Sequence, residues 1–227
     1  MNAILVDNIE YPLPNDFTLS QWRELNEIGF NRKKELIASA FGVPLEQLEG
    51  MSDSAADLGA RIIYTTLFPA DAEPNTDGLK SFKDMTIGQF IDLEVYLGEG
   101  ANKTITNIAN ILYENEITDE TPISQVWGAF QSYMNYRTLL YKQYEGLLGG
   151  GGDDDEVVEN KPVNKRDTAH NWYNTIMFVA NDDLLKANQV VERPVIEVFN
   201  YLAYRKTKYQ AELQRLRQQQ QEAKYKR

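Results

Sequence analysis

The sequence predicts a mainly α-helical protein: a duplicated helical module with a small N-terminal β-hairpin and a long C-terminal helix. Three observations carry this. First, Phe17–Ile28 (FTLSQWRELNEI) is echoed by Met85–Leu97 (MTIGQFIDLEVYL), matching Thr18/Thr86, Leu19/Ile87, Gln21/Gln89, Trp22/Phe90 and Leu25/Leu93. Thr-x-x-Gln ahead of an apolar pattern is a capping box: the hydroxyl accepts from a free backbone N–H, and the glutamine reaches back to the threonine's own N–H. Second, the echo continues in the same order. Ile37–Phe41 answers Ile108–Leu112, and Pro44-Leu45-Glu46-Gln47-Leu48 answers Pro122-Ile123-Ser124-Gln125-Val126, a period of about 70 residues. Third, the stretch after Pro194 starts apolar (Val195, Ile196, Val198, Phe199, Leu202) and continues as one helix to Arg227.

The elements follow in order. Residues 1–15 form a hairpin, with Ile4 and Val6 before an Asp7-Asn8 turn and Ile9 and Tyr11 after it. Pro12 and Pro14 end it, because proline cannot donate to a ladder. Residues 16–68 make the first helical repeat: a helix from Thr18 to about Gly29, a second from Arg32 to Phe41 stopped by Gly42, and a short third opened by Pro44. A further helix spans 52–68, capped by Ser52 or Ser54, with Leu58, Ile62 and Ile63 as its apolar side. Residues 69–84 are a loop marked by Pro69, Pro74 and Asp77-Gly78. The second repeat, 85–148, has helices at Thr86–Leu97 and Thr104–Tyr113 and a long one from Pro122 to about Leu148. Four glycines and three aspartates mark 149–167 as a flexible linker. Residues 168–227 are C-terminal helices ending in a basic, Gln-rich tail.

Composition limits the function classes. At 42% hydrophobic, 227 residues can bury a core. No apolar run is long enough to span a bilayer, so no membrane role is expected. There is no cysteine, hence no thiolate nucleophile, disulfide or cysteine metal site, and the single histidine excludes a His-rich site. MNAILVDNIEY lacks a basic region ahead of its apolar stretch, so the cytosol is the expected compartment. The net charge of −11 is uneven. Arg205–Arg227 holds eight Lys/Arg and two Glu, a local +6, which leaves the rest at −17. An acidic body repels nucleic acid, while the tail attracts phosphate or an acidic protein face.

The motifs that suggest chemistry have simpler readings. The glycine run lacks the Lys-Ser/Thr of a phosphate loop and is followed by aspartates that repel phosphate. Asp153–Glu156 lacks the spacing of a calcium loop. His170 stands beside Asn171 with no nucleophile motif elsewhere. Asp182-Asp183 and Asp119-Glu120 suit helix capping. No catalytic residue, cofactor or metal ligand is therefore expected, and the protein reads as a non-enzyme. The residues suited to protein contact are Trp127, Tyr133, Tyr136 and Tyr141 on the long helix, and Tyr204, Arg205, Lys208, Arg215 and Arg217 on the tail. Tyrosine and arginine are enriched at protein interfaces.

The Thr-x-x-Gln-[Trp/Phe]-x-x-Leu helices, the Ile-Ala-x-x-[Phe/Leu] helix followed by Gly42-Val43-Pro44-Leu45-Glu46-Gln47-Leu48, and the pattern Trp172…Phe178-Val179-Ala180-Asn181-Asp182-Asp183…Pro194…Tyr201-Leu202 carry a resemblance. The chain resembles tail or baseplate assembly proteins and tail assembly chaperones of tailed bacteriophages. The resemblance implies a non-enzymatic structural or assembly protein, a virion tail, neck or baseplate component. It would act by contact with other phage structural proteins or as a homo-oligomer, in the host cytoplasm during assembly or in the virion. The alternatives are a transient tail assembly chaperone and a nucleic-acid-binding adaptor that uses the basic C-terminal helix.

Overall fold

A computed structural model describes residues 3–70, 72–148 and 165–225, without the side chains of 165–168 and 223–225. In chain order its elements are β1 (Ala3–Val6), β2 (Ile9–Pro12), α1 (Leu19–Ile28), α2 (Lys33–Phe41), α3 (Asp53–Leu67), α4 (Ile87–Glu99), α5 (Ala101–Leu112), α6 (Ile123–Gln143), α7 (Glu145–Leu148), α8 (Lys165–Val179), α9 (Leu184–Val191) and α10 (Val195–Tyr225). The protein is mainly helical, with a two-stranded sheet at its N-terminus and a long C-terminal helix. The expected linker at 149–167, with its glycine run and Asp153–Glu156, lies outside the described residues up to 164. Its last three residues open α8.

Two compact units form, each from separated stretches: residues 1–80 with 100–134, and residues 81–99 with 135–227. The consecutive segments 16–68 and 85–148 are therefore not the two units. The hairpin pairs Ala3 with Pro12 and Val6 with Ile9. Asp7 and Asn8 both take positive φ, the pair of left-handed residues that a tight hairpin turn requires.

Both capping boxes form. Thr18 Oγ1 accepts from Gln21 N at 3.3 Å, and Gln21 Oε1 accepts from Thr18 N at 3.0 Å. Thr86 and Gln89 repeat this at 3.2 and 3.0 Å. The duplication extends to how each helix start is held. In the first unit Leu19 N donates to Thr121 O (2.9 Å) and Ile123 N to Phe17 O (2.7 Å), making a bridge between Thr18 and Pro122. In the second, Ile87 N donates to Arg193 O (2.8 Å) and Val195 N to Met85 O (2.9 Å), bridging Thr86 and Pro194. Each clasp satisfies backbone donors that a helix start leaves without an intrahelical partner. The structural counterpart of Pro122 is therefore Pro194. The expected match of Pro122 with Pro44 is corrected: Pro44 opens a single 3-10 turn, Leu45–Leu48, whereas Pro122 and Pro194 each open a helix of more than five turns.

Each unit has its own apolar core. In the first, Trp22 is fully buried edge-on to Phe68, which meets Trp127 at 5.0 Å between ring centroids. In the second, the equivalent Phe90 is fully buried edge-on to Phe199 and Trp172, both at 5.6 Å. Trp127 and Phe199 stand five residues after their clasp prolines, so the same helix positions fill both cores.

The apolar face of α3 differs from expectation. Leu58 is 61% exposed, and Ala56, Gly59, Ala60, Ile63 and Leu67 face inward. This stripe of mostly small residues, spaced three and four apart, lets α2 approach closely: a Cβ on Gly59 would stand 2.8 Å from Ile37 Cδ1. The long second-repeat helix is also interrupted, α6 ending at Gln143 and the short α7 following Tyr144.

Candidate protein-interaction surface

The aromatic residues expected to mark a surface on α6 serve the interior to different degrees. Tyr133 is fully buried, so its side chain is part of the core. Trp127 is half-buried between Phe68 and Phe130. Tyr136 is half-buried, packs on Phe82 at 5.4 Å, and encloses its hydroxyl without a hydrogen-bond partner. Burial raises the pKa of that phenol above its ordinary value.

Tyr141 belongs to a charged cluster in the second unit. Its hydroxyl donates to Glu94 Oε2 at 3.0 Å. Arg137 grips the same carboxylate with two bonds, Nε to Oε1 at 2.5 Å and Nη2 to Oε2 at 2.8 Å. The guanidinium also lies 4.5 Å from the Tyr141 ring centroid. Burial, then the Glu94 charge, push the Tyr141 phenol up to about 12. Arg137 and Tyr141 thus converge on the one buried carboxylate of Glu94, which is the arrangement of a structural clamp.

The tail residues are placed differently. Tyr204, Arg205, Lys208, Arg215 and Arg217 are all exposed on α10. Val195, Val198 and Phe199 anchor the first turns of that helix in the second unit. Beyond Ala203 no residue with a described side chain is buried. Where α10 leaves the core, Arg205 stands 5.4 Å from the Phe178 ring and 5.9 Å from the Tyr201 ring. Phe178 (50%), Tyr201 (40%) and Tyr204 (63%) are all substantially exposed. An arginine held between accessible aromatic rings combines the residue types that dominate protein-binding hot spots. Phe178 is not among the residues expected to mark a surface, because its place beside Arg205 depends on the packing of α8 against α10 and not on its sequence neighbours.

The remaining candidates have local roles. Asp183 caps α9, accepting from Leu185 N (3.0 Å) and Lys186 N (3.3 Å), and its hydrogen bond to Lys186 holds its carboxyl below the usual range. Asp119 pairs with Arg23 at 2.7 Å, and His170 is exposed. Among the described residues no group of three or more His, Cys, Asp or Glu can hold a metal ion, and no helix is long and apolar enough to cross a membrane. Compared with known proteins, the chain matches no family model, no curated protein and no solved structure.

Proposed function

We propose that this chain is a non-enzymatic structural or assembly protein of a tailed bacteriophage that works by protein–protein contact. The observation that carries the reading is α10: anchored by Val195, Val198 and Phe199, then exposed with Tyr204, Arg205, Lys208, Arg215 and Arg217 along it. Ordering a helix of this length without burying its far half gains little for the fold itself, and its basic charge suits an acidic neighbour. The phage assignment rests on the sequence resemblance.

The test is detection of the chain in purified particles of the virus that encodes it. Presence in particles supports a tail, neck or baseplate component. Association with tail proteins during assembly but absence from particles supports the chaperone alternative. Absence of both overturns the reading. A chain ending at Ala203 is expected to lose these associations.

A nucleic-acid-binding adaptor is the second reading, favoured by the local +6 charge together with exposed Tyr204 and Tyr209. It expects DNA binding that weakens steeply with salt and disappears in the same truncation.

A further inference from the structure

The exposed half of α10 carries an ordered pattern. Positions 195, 199, 202, 206, 209, 213, 216 and 220 alternate spacings of four and three. They are occupied by Val, Phe, Leu, Lys, Tyr, Leu, Leu and Gln. That is the a/d stripe of a coiled coil. Val195 and Phe199 are fully buried in the second unit and Leu202 is half-buried, so the stripe begins as an intramolecular seam. At Lys206 it leaves the fold, the ammonium donating to the Gly146 carbonyl. Beyond that the same stripe continues with Tyr209 63% and Leu216 53% exposed and Leu213 between them half-buried.

The charges beside the stripe distinguish the occupants. The basic charge that suits an acidic neighbour belongs to another face of the helix, and a seam made for such a neighbour would be basic on both flanks. Here Glu212 lies on one flank and Arg217 on the other, while Lys208 and Arg215 point to the opposite face. In a parallel two-stranded coiled coil, the flanking residue before one core position meets the residue five places later on the partner helix. Glu212 of one helix then faces Arg217 of the second copy, twice by symmetry.

We propose that α10 from Tyr209 onward pairs in parallel with α10 of a second copy, through Tyr209, Leu213 and Leu216 and the reciprocal Glu212–Arg217 contacts. The proposal rests on the reading of α10 as a protein-contact helix and names one of its partners. The seam is short, with polar Gln220 at a core position, so the pairing is weak and reversible.

The test is sedimentation of the purified full chain across micromolar concentrations. Wild type shows a monomer–dimer equilibrium. Leu216→Glu abolishes it with helix content unchanged, since the side chain is exposed in the monomer. Glu212→Arg and Arg217→Glu each weaken dimerisation about tenfold, having turned two attractive contacts repulsive. The double variant, Glu212→Arg with Arg217→Glu, restores it. A wild-type chain that stays monomeric, or a charge swap without rescue, overturns the proposal. If the monomeric chain still enters particles through α10, the proposed function stands and only this pairing falls. If the chain dimerises but is found neither in particles nor with tail proteins, the pairing stands and the function falls.

Discussion

Replacing Glu94 with alanine tests how the second unit is held together. Its carboxylate is 8% accessible and accepts two bonds from Arg137, whose side chain is 29% accessible, and one from Tyr141. Removing one partner of a fully buried pair costs about 3–5 kcal/mol, because the other charge stays desolvated. Arg137 retains partial access to water and can recover some hydration, so the lower end, about 3 kcal/mol, is expected. For a chain of this size about 3 kcal/mol lowers Tm by roughly 6–12 °C. Thermal unfolding followed by circular dichroism reads this shift. The sharper comparison is Glu94→Leu combined with Arg137→Met. An apolar pair leaves no stranded charge, so the double variant should be more stable than Glu94→Ala alone. The reasoning is refuted if Glu94→Ala melts within a degree or two of wild type, or if the double variant loses the sum of both single effects.

The same cluster predicts a titration, and the backbone packing of two glycines predicts opposite effects of alanine. Tyr141 has its pKa raised to about 12 from an ordinary value of 10, so the folded state holds this proton where the unfolded state has released it. Its contribution is complete below pH 10 and is lost as pH rises from about 10 towards 12. Tyrosinate absorbance should show a late-titrating step that Tyr141→Phe removes. Gly128 and Gly98 should respond oppositely to alanine. A Cβ on Gly128 would lie 2.5 Å from the Glu73 carbonyl, which cannot yield without moving backbone, so Gly128→Ala should cost about 1–3 kcal/mol or more. Gly98 lies in the last turn of α4 with open space where a Cβ would stand, and Gly98→Ala should stabilise by about 0.5 kcal/mol, the lower end of the mid-helix value, in urea unfolding.

The elements readable in the chain are those set by neighbours a few residues apart. Thr18 with Gln21 and Thr86 with Gln89 act across three residues, so the capping boxes and the start of α1 and α4 are written locally. The Asp7-Asn8 turn and the Gly42 stop are local for the same reason: they depend on the tolerance of positive φ by two adjacent residues in the first and by one glycine in the second. The length of α10 and the exposure of Tyr204, Arg205, Lys208, Arg215 and Arg217 follow from a polar tail that has no core to bury.

What periodicity cannot express is which distant segment an element meets. The clasps join Thr18 to Pro122 and Thr86 to Pro194, over a hundred residues apart, through backbone bonds that carry no side-chain signature. The sequence already reads a short helix after Pro44 and a long one after Pro122, but only the structure shows that Pro122 is clasped to Thr18 and Pro44 is not its counterpart. Tyr133 and Tyr204 are the same residue on helices of mixed polarity, yet packing encloses the first and leaves the second in water. Leu58 faces out because close approach to α2 favours small residues, a criterion set by the neighbour's shape and not by hydrophobicity. Short-range hydrogen bonding thus specified the helices and their ends, and three-dimensional packing assigned their faces and partners.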